Sequence, residues 1–341
     1  MHEGDRVQDV YLLSAPAYRL AKTGKSYWAF ALKDVSGSID AKIWSPTAQK
    51  YTDIPNGILV EVLGDVRPFN GEGQVVVSAI RQLDENEVAA LDLAQWLPGS
   101  RRPPEEMFTE LQELCKKELV HKPWRKFVLG VLSDKDIHAR FLKAPAATGI
   151  HHAWVGGLLE HTLSVAALCM RLCDQYPLLD RQILLAAAVC HDLGKLWELS
   201  PLGTSYTDEG QMLGHIMIGL EKLARPLEKS GLAPEHILHF KHLILSHHGK
   251  LEFGSPKLPL TPEALALSFA DDLDAKLTLC AGLFKDFPEE GTGWSQKNWA
   301  LGRAMYHALR TPAPEQADSP KEKAGSKPVT KVVKDDQCSL L

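Results

Sequence analysis

The chain has 341 residues, of which 45% are hydrophobic and 24% are charged, and this composition excludes a protein that is wholly disordered, collagen-like or membrane-embedded. The net charge of −5 excludes an overall basic field that would attract nucleic acid. The length predicts two domains. The first ten residues lack the apolar core of a signal peptide, and the longest apolar run, 183–190, is too short to cross a bilayer, so we expect a cytoplasmic protein with no membrane partner.

Short segments rich in strand-forming residues, separated by turn sequences, fill the beginning of the chain. They predict a small closed barrel in a first domain, residues 1–85, with strands at 7–20, 25–34, 37–44, 57–69 and 73–83. In the third strand Trp44 alternates in phase with Asp40 and Lys42, so a tryptophan shares the polar face with a lysine.

Helical spacing replaces the strand pattern after Leu83, and Pro-rich punctuation predicts a linker and connecting helix over 86–120. A helical domain is expected over 121–310, and a disordered tail over 311–341, which has too little apolar content to fold. The predicted helices lie at 104–119, 122–133, 153–174, 180–193, 211–229, 234–247, 262–286 and 294–310.

Several histidines and aspartates occupy the apolar faces of different predicted helices. His161 falls within the apolar stripe of its helix, and Asp271 shares a helix face with Asp274. A single such histidine is most often a hydrogen-bonded core residue, but a whole set needs partners, because each unpartnered buried group costs several kcal/mol. A metal cluster would satisfy them together, and the candidate ligands are His161, His191, Asp192, His215, His247, His248 and Asp271.

The number and type of these candidate ligands indicate the kind of metal centre. Seven side chains exceed the four of a typical zinc site and suit two ions that share a carboxylate. Donors rich in nitrogen and free of thiolate favour Mn, Fe, Co, Ni or Zn over Mg or Ca, without choosing among them.

The order of these residues, together with HDLGK at 191–195, resembles the signature of HD-domain metal-dependent phosphohydrolases. The segments 144–166 and 246–276, and a barrel strand followed by LKDVSGSIDAKIW, resemble the YhaM-type 3′-to-5′ exoribonucleases. The resemblance covers about residues 6–285. It implies a multidomain α+β fold, in which a five-stranded OB-like barrel precedes an all-α HD-domain bundle.

The resemblance also implies roles for individual residues. One ion would be held by His161, His191, Asp192 and Asp271, and a second by Asp192 as a bridge with His215 and either His247 or His248. Asp192 and Lys195 are the expected catalytic residues, with Lys195 contacting the substrate phosphate. Asp272 stays open as an alternative to Asp271. The pocket candidates are His151, His152 and Asp274.

The implied activity is hydrolysis of phosphodiester bonds from the 3′ end of single-stranded RNA or DNA, by a hydroxide that two divalent ions activate. Manganese is the first candidate for these ions, before Fe, Co, Ni or Zn. OB-folds hold single strands by stacking bases on aromatic residues beside basic groups. The candidates here, with Trp44 first, are Trp44, Lys42, Tyr27, Trp28, Lys25, Arg67 and Phe69. Because Tyr27 and Trp28 are neighbours on a strand, they must face opposite ways.

Other functions stay open at this point. The first is an HD phosphohydrolase that acts on a small nucleotide or cyclic dinucleotide, although the GYP-containing signature of the cyclic-dinucleotide class is missing after His248, where GKLEFGSP stands. The second is a non-catalytic RNA-binding adaptor, against which the complete ligand set argues. The acidic side chains of residues 1–85 outnumber the basic ones, so binding should be modest and salt-sensitive. A homo-oligomer is compatible with the sequence.

Overall fold

The computed structural model describes residues 4–97, 99–100, 102–147, 154–200, 202–288 and 291–311. A closed barrel precedes a helical domain, which confirms the predicted fold class. The segment with His151 and His152, and the predicted disordered tail beyond residue 311, lie outside the described residues.

The barrel is built from strands close to those predicted. They pair in the order β1-β2-β3-β5-β4, the barrel closes between β1 and β4, and the β3–β5 pair is parallel while the others are antiparallel. This is an OB-like arrangement. The strands are β1 (Arg6–Leu20), β2 (Ser26–Asp34), β3 (Gly37–Trp44), β4 (Ile58–Phe69) and β5 (Glu72–Gln82).

Strand β1 closes the barrel because it pairs on both sides. Its first half pairs with β4 and its second half with β2, and the register shifts between Ser14 and Ala17. Such a bulge bends a strand, so one long strand serves both neighbours. Alternate side chains fill the interior, among them Leu13, Phe30 and Ile43.

The helices of the second half match the predicted ones up to residue 286, with the additional short helices α1, α4 and α7. Within α8 the backbone leaves helical geometry at Gly214. The helices are α1 (Glu85–Ala90), α2 (Pro104–Glu118), α3 (Lys122–Leu132), α4 (Lys135–Phe141), α5 (Gly157–Gln175), α6 (Arg181–Cys190), α7 (Lys195–Glu198), α8 (Asp208–Glu228), α9 (Pro234–Ser246) and α10 (Pro262–Leu283).

Helix α6 is the centre of the helical domain. Asp180 caps its first turn, and every side chain from Ile183 to Cys190 is buried. Helices α2, α3, α5, α9 and α10 pack around it. The longest apolar run of the sequence is therefore a core helix, and among the described residues no helix is long and apolar enough to span a membrane.

The helix predicted over 294–310 is wrong. The segment instead forms a small hairpin, in which β6 (Gly293–Trp294) pairs with β7 (Tyr306–His307). The rings of Trp294 and Tyr306 are in tilted contact with centroids 5.2 Å apart, and the His307 ring packs on Phe284 and Phe287. These aromatic contacts, with Gly302 in the left-handed region at φ 65°, outweigh the helical spacing.

The barrel and the helical domain meet through a small apolar cluster. Leu12 and Leu59 from the barrel pack with Leu202 and with residues of the linker. Trp96 Nε1 donates a hydrogen bond to the Val10 carbonyl at 2.8 Å, which ties the linker to β1.

Gly194 permits the closest approach between two helices near the end of α6. A Cβ at this position would lie 1.9 Å from the His215 carbonyl oxygen and 2.7 Å from the Gly219 nitrogen, both in the backbone of α8. Backbone cannot yield as a flexible side chain can, so only glycine fits between α7 and α8.

We expect Gly194→Ala to lower the free energy of unfolding by about 1–3 kcal/mol or more, because the extra methyl group forces α7 and α8 apart. Gly130→Ala is the matched control, since a Cβ there, in the last turn of α3, meets nothing within 4 Å, and it should be neutral or stabilising. Urea unfolding of both variants measures the difference. Equal stability of the two variants would contradict the packing described here.

Candidate functional site

The predicted metal ligands come from five elements that converge at the centre of the helical domain. His161 lies in the first turns of α5, and the pair His191-Asp192 directly follows α6. His215 follows the interruption in α8, the pair His247-His248 follows α9, and Asp271 lies within α10. The donor atoms of the histidines and Asp192 form two overlapping groups, with Asp192 in both.

Asp192 is the residue that the two groups share. Its Oδ2 lies 3.5 Å from Nε2 of both His161 and His191. Its Oδ1 lies 3.5 Å from Nε2 of both His215 and His247. The side chain is only 2% exposed, so this carboxylate stands between two pairs of imidazoles in the protein interior.

Asp271 completes the first group, and its neighbour does not. Asp271 Oδ1 lies 3.1 Å from His161 Nε2 and 3.8 Å from His191 Nε2. Asp272 points away, is exposed, and pairs with Lys276 Nζ at 2.6 Å. The geometry therefore favours Asp271 over Asp272 as the ligand.

Each histidine of the cluster is oriented by a hydrogen bond from its Nδ1. Carbonyl and carboxylate oxygens only accept, so Nδ1 carries a proton, and in the neutral ring Nε2 presents a lone pair to the cluster, as in metal-binding histidines. The acceptors are Asp274 Oδ2 for His161 (2.7 Å), the Ala188 carbonyl for His191 (2.8 Å), Glu198 Oε1 for His215 (3.0 Å), the Ile244 carbonyl for His247 (2.7 Å) and the Phe253 carbonyl for His248 (2.8 Å).

The cluster leaves buried polar atoms that a cation would satisfy. Asp192 Oδ1, His215 Nε2 and His247 Nε2 have no hydrogen-bond partner among the described residues. Each unsatisfied buried group costs about 1–3 kcal/mol, whereas a divalent ion takes imidazole nitrogen and carboxylate oxygen as ligands. The residues thus fit a divalent metal.

The electrostatics of the cluster also favour a bound cation. Burial raises the pKa of Asp192, but Lys195 and His191 together hold it well below its usual range, and Lys195 Nζ lies 2.7 Å from Asp192 Oδ2. Burial lowers the pKa of His191 to about 4, so this imidazole is neutral near pH 7. Burial also lowers the pKa of His161, but hydrogen bonds to Asp271 and Asp274 outweigh it and raise the pKa to about 9. Without an ion, His161 therefore carries a proton on Nε2 as well as on Nδ1, and the Nε2 proton lies beside Asp271 where a bound cation would replace it.

Two carboxylates stand behind the ligands. Asp274, expected only as a pocket residue, accepts the hydrogen bond from His161 and another from Ser164 Oγ. Glu198, which the sequence reasoning missed, accepts both the backbone N–H and the Nδ1–H of His215 at 2.9 and 3.0 Å. A lone acidic residue in the apolar stretch around 196–199 was the only available signal for Glu198.

Four of the residues predicted to contact nucleic acid lie close together, on strands β2, β3 and β4. Lys42 Nζ lies 4.1 Å from the Phe69 ring centroid, 5.4 Å from that of Tyr27 and 5.5 Å from that of Trp44. The rings of Tyr27 and Trp44 stack at 4.7 Å. Tyr27, Lys42 and Phe69 line a groove of about 310 Å³ together with Arg19, Asp40 and the small side chains Ala29 and Ala31. Trp44 packs on Tyr27 beside this groove.

The placement of Trp28 corrects one expectation. Trp28 is 7% exposed, belongs to the barrel core, and donates from Nε1 to the Tyr51 carbonyl at 3.2 Å. It faces inward because Tyr27 faces outward on the same strand. Lys25 and Arg67 are exposed but do not line the groove, whereas Arg19, which was not anticipated, does.

Comparison with known proteins places this site in a family. Residues 158–276, which contain all seven candidate ligands, match the HD domain. The 3′-5′ exoribonuclease YhaM of Bacillus velezensis is 37% identical over 284 residues, which cover 82% of this chain and 88% of that protein. The same enzyme of Bacillus subtilis is 37% identical over 281 residues, with the same coverage. The chain belongs to the YhaM family.

Solved structures add little to this assignment. The protein PriB from Ralstonia solanacearum aligns with 23% of this chain and 97% of its own at 16% identity and a TM-score of 0.21. A likeness of this size supports no argument. The YhaM family membership therefore rests on sequence identity along most of the chain, and it confirms the resemblance that the segments 144–166 and 246–276 and the barrel strand indicated.

We expect Asp274→Asn to weaken metal binding by about 10–100-fold, because the histidine ligand it orients loses its charged acceptor. Titration of Mn²⁺ or Zn²⁺ against a chelating dye measures the affinity. Asp272→Asn removes an exposed carboxylate two residues away and should bind metal like the parent. The geometry would be contradicted if Asp272→Asn weakened binding and Asp274→Asn did not.

Proposed function

We propose that this chain is a metal-dependent 3′-to-5′ exonuclease that hydrolyses phosphodiester bonds of single-stranded RNA, with single-stranded DNA as a further candidate substrate. The observation that carries the proposal is the buried Asp192 carboxylate, with one oxygen facing each pair of imidazoles. The named activity of the Bacillus relatives supports the substrate class.

The proposed centre holds two divalent ions. His161, His191, Asp271 and Asp192 Oδ2 would hold the first, and Asp192 Oδ1 with His215, His247 and His248 the second. When bound, two such ions lower the pKa of a water molecule and offset the negative charge that grows on the phosphoryl oxygens. Manganese is our first candidate, with Fe, Co, Ni and Zn compatible with the same donors.

Lys195 extends the positive charge of the site towards the substrate. Its ammonium group contacts Asp192 Oδ2, and its side chain is 14% exposed at the edge of the cluster. Burial lowers the pKa of Lys195, but Asp192 outweighs it and raises the pKa, so the group stays protonated. We assign it to contact the scissile phosphate. His151 and His152 remain proposed pocket residues.

The barrel is proposed to hold the strand. Tyr27 and Lys42 line the groove, the ring of Trp44 packs on that of Tyr27, and the small alanine side chains of the lining leave room for bases. Each stacked base contributes about 1–3 kcal/mol and tolerates any sequence. We therefore assign strand holding to residues 1–85 and hydrolysis to 121–310, with 86–120 as the connection.

The competing functions differ in what they predict for a polymer substrate. A phosphohydrolase of small nucleotides would release product from mononucleotides or cyclic dinucleotides only. An RNA-binding adaptor would bind a strand and leave it uncut with any divalent ion. Every ligand histidine is held in place by a hydrogen bond from its Nδ1, and this favours a catalytic metal centre over an inert one.

With Mn²⁺, we expect the protein to shorten a 5′-labelled single-stranded oligonucleotide stepwise from its 3′ end, and Asp192→Ala to lower the rate by at least about 10³-fold. The loss follows because the shared ligand of both ions disappears. Denaturing gels resolve the ladder. Asp286→Ala, an exposed acidic residue beyond α10, is the control and should leave the ladder unchanged. Rapid cutting by Asp192→Ala would refute the assignment.

Trp44→Ala should raise the KM for a 20-nucleotide strand by about 5–100-fold, through loss of base stacking, and leave hydrolysis of a short model diester unaffected. Steady-state kinetics on both substrates separate the two effects. Trp299→Ala, which removes another exposed tryptophan outside the barrel, should alter neither. Equal losses on the long strand and the short diester would contradict strand holding by the barrel.

A further inference from the structure

A second aromatic surface lies directly beside the metal cluster. After the pair His247-His248 the chain turns through a short 3₁₀ helix, Leu251–Phe253, which presents two large apolar side chains to solvent. Leu251 is 60% exposed and Phe253 is 56% exposed. Exposed apolar groups at the edge of a buried polar site are typical of a surface that contacts a ligand.

The Phe253 ring is positioned by backbone rather than by packing. The Phe253 N–H donates to the Lys250 carbonyl at 3.1 Å, and the Gly254 N–H donates to the Leu251 carbonyl at 3.0 Å. Ser255 Oγ donates to the Leu245 carbonyl at 3.0 Å and anchors the turn on α9. The backbone that carries the ring is therefore held in place, and the ring itself stays exposed to solvent.

This turn is attached to the metal ligands themselves. The Phe253 carbonyl accepts the hydrogen bond from His248 Nδ1 at 2.8 Å. The His248 ring in turn lies 4.2 Å from the His247 ring and 5.0 Å from the His215 ring, measured between centroids. If a phosphate bound at the cluster, Phe253 would lie next to it, on the side where His248 stands.

A cation lies against the Phe253 ring, and exposed apolar side chains precede the ligand His215 in the sequence; Lys250 Nζ also lies 3.7 Å from Glu252 Oε1. Lys250 Nζ lies 5.1 Å from the centroid of the Phe253 ring, which leaves the other ring face for a planar group. Met212 and Leu213, 82% and 46% exposed, precede His215. A planar ring, a cation and an apolar rim next to a phosphoryl centre are the chemistry that recognises a nucleotide.

We infer that Phe253 is the stacking platform for the nucleobase of the 3′-terminal nucleotide, and that Lys250 lies beside its phosphates. The inference rests on the proposed function and deepens it, because it names what positions the end of the strand for hydrolysis. Every base has a π-face, so the platform accepts all four bases but requires a base, and it favours the larger purines.

The test compares two oligonucleotides that differ only in the 3′-terminal nucleotide, which is normal in one and abasic in the other. The parent should cut the normal end about 5–100-fold faster than the abasic end, measured as kcat/KM. Phe253→Ala should bring this ratio to within about twofold of one while retaining bound metal, since the backbone carbonyl that holds His248 is kept.

Two control variants distinguish base stacking from the effect of side-chain volume and from the effect of removing any exposed aromatic residue. Phe253→Leu keeps the apolar volume without the ring and should lose most of the ratio. Tyr176→Ala removes a 50% exposed aromatic residue at the far end of α5, roughly 22 Å along the helix from His161, and should keep the parent ratio. An unchanged ratio in Phe253→Ala would overturn the inference.

A binding measurement keeps this inference distinct from the proposed activity. An oligonucleotide that ends in 2-aminopurine behind an uncleaved phosphorothioate reports stacking by loss of fluorescence. Quenching by the parent and not by Phe253→Ala supports the platform even if no strand is cut, in which case the exonuclease proposal alone fails. Quenching that does not depend on Phe253 overturns the platform even if the strand is cut stepwise.

Discussion

The structure depends on the burial of one carboxylate between two pairs of imidazoles. Asp192 is 2% exposed, and its two oxygens face different pairs of histidine nitrogens. Charged and polar groups concentrated in a protein interior are stable only when each has a partner, and some of these atoms have none among the described residues. A divalent metal bound at the centre would give these atoms the partners they need.

The rest of the helical domain can be understood as support for that carboxylate. Helix α6, which is apolar from Ile183 to Cys190, runs through the core, and His191 and Asp192 follow its end, where the surrounding helices add their own ligands. Gly194 lets α8 approach closely enough to bring His215 into reach. Asp274 and Glu198 fix two of the rings, so the lone pairs converge before any ion arrives.

Much of this centre could be predicted from the sequence, because helical periodicity already places His161 and Asp271 on inward faces and the order of ligands resembles a known signature. The orienting contacts could not. Glu198 meets His215 only through the kink at Gly214, and Phe253 reaches His248 only through a turn that no periodicity encodes.

Trp28 was wrongly predicted to contact nucleic acid. Strand alternation required one of two adjacent aromatic residues to lie in the core, and that residue is Trp28. The helix predicted over 294–310 was wrong because the hairpin there is stabilised by aromatic contacts between residues distant in sequence, which helical spacing does not reveal.

Anomalous diffraction from crystals grown with Mn²⁺ tests the central claim most directly. The account predicts two peaks about 3.5–4 Å apart, one on each side of the Asp192 carboxylate, with His161 and His191 on one ion and His215 and His247 on the other. A single peak, or two peaks that do not share Asp192, would contradict it.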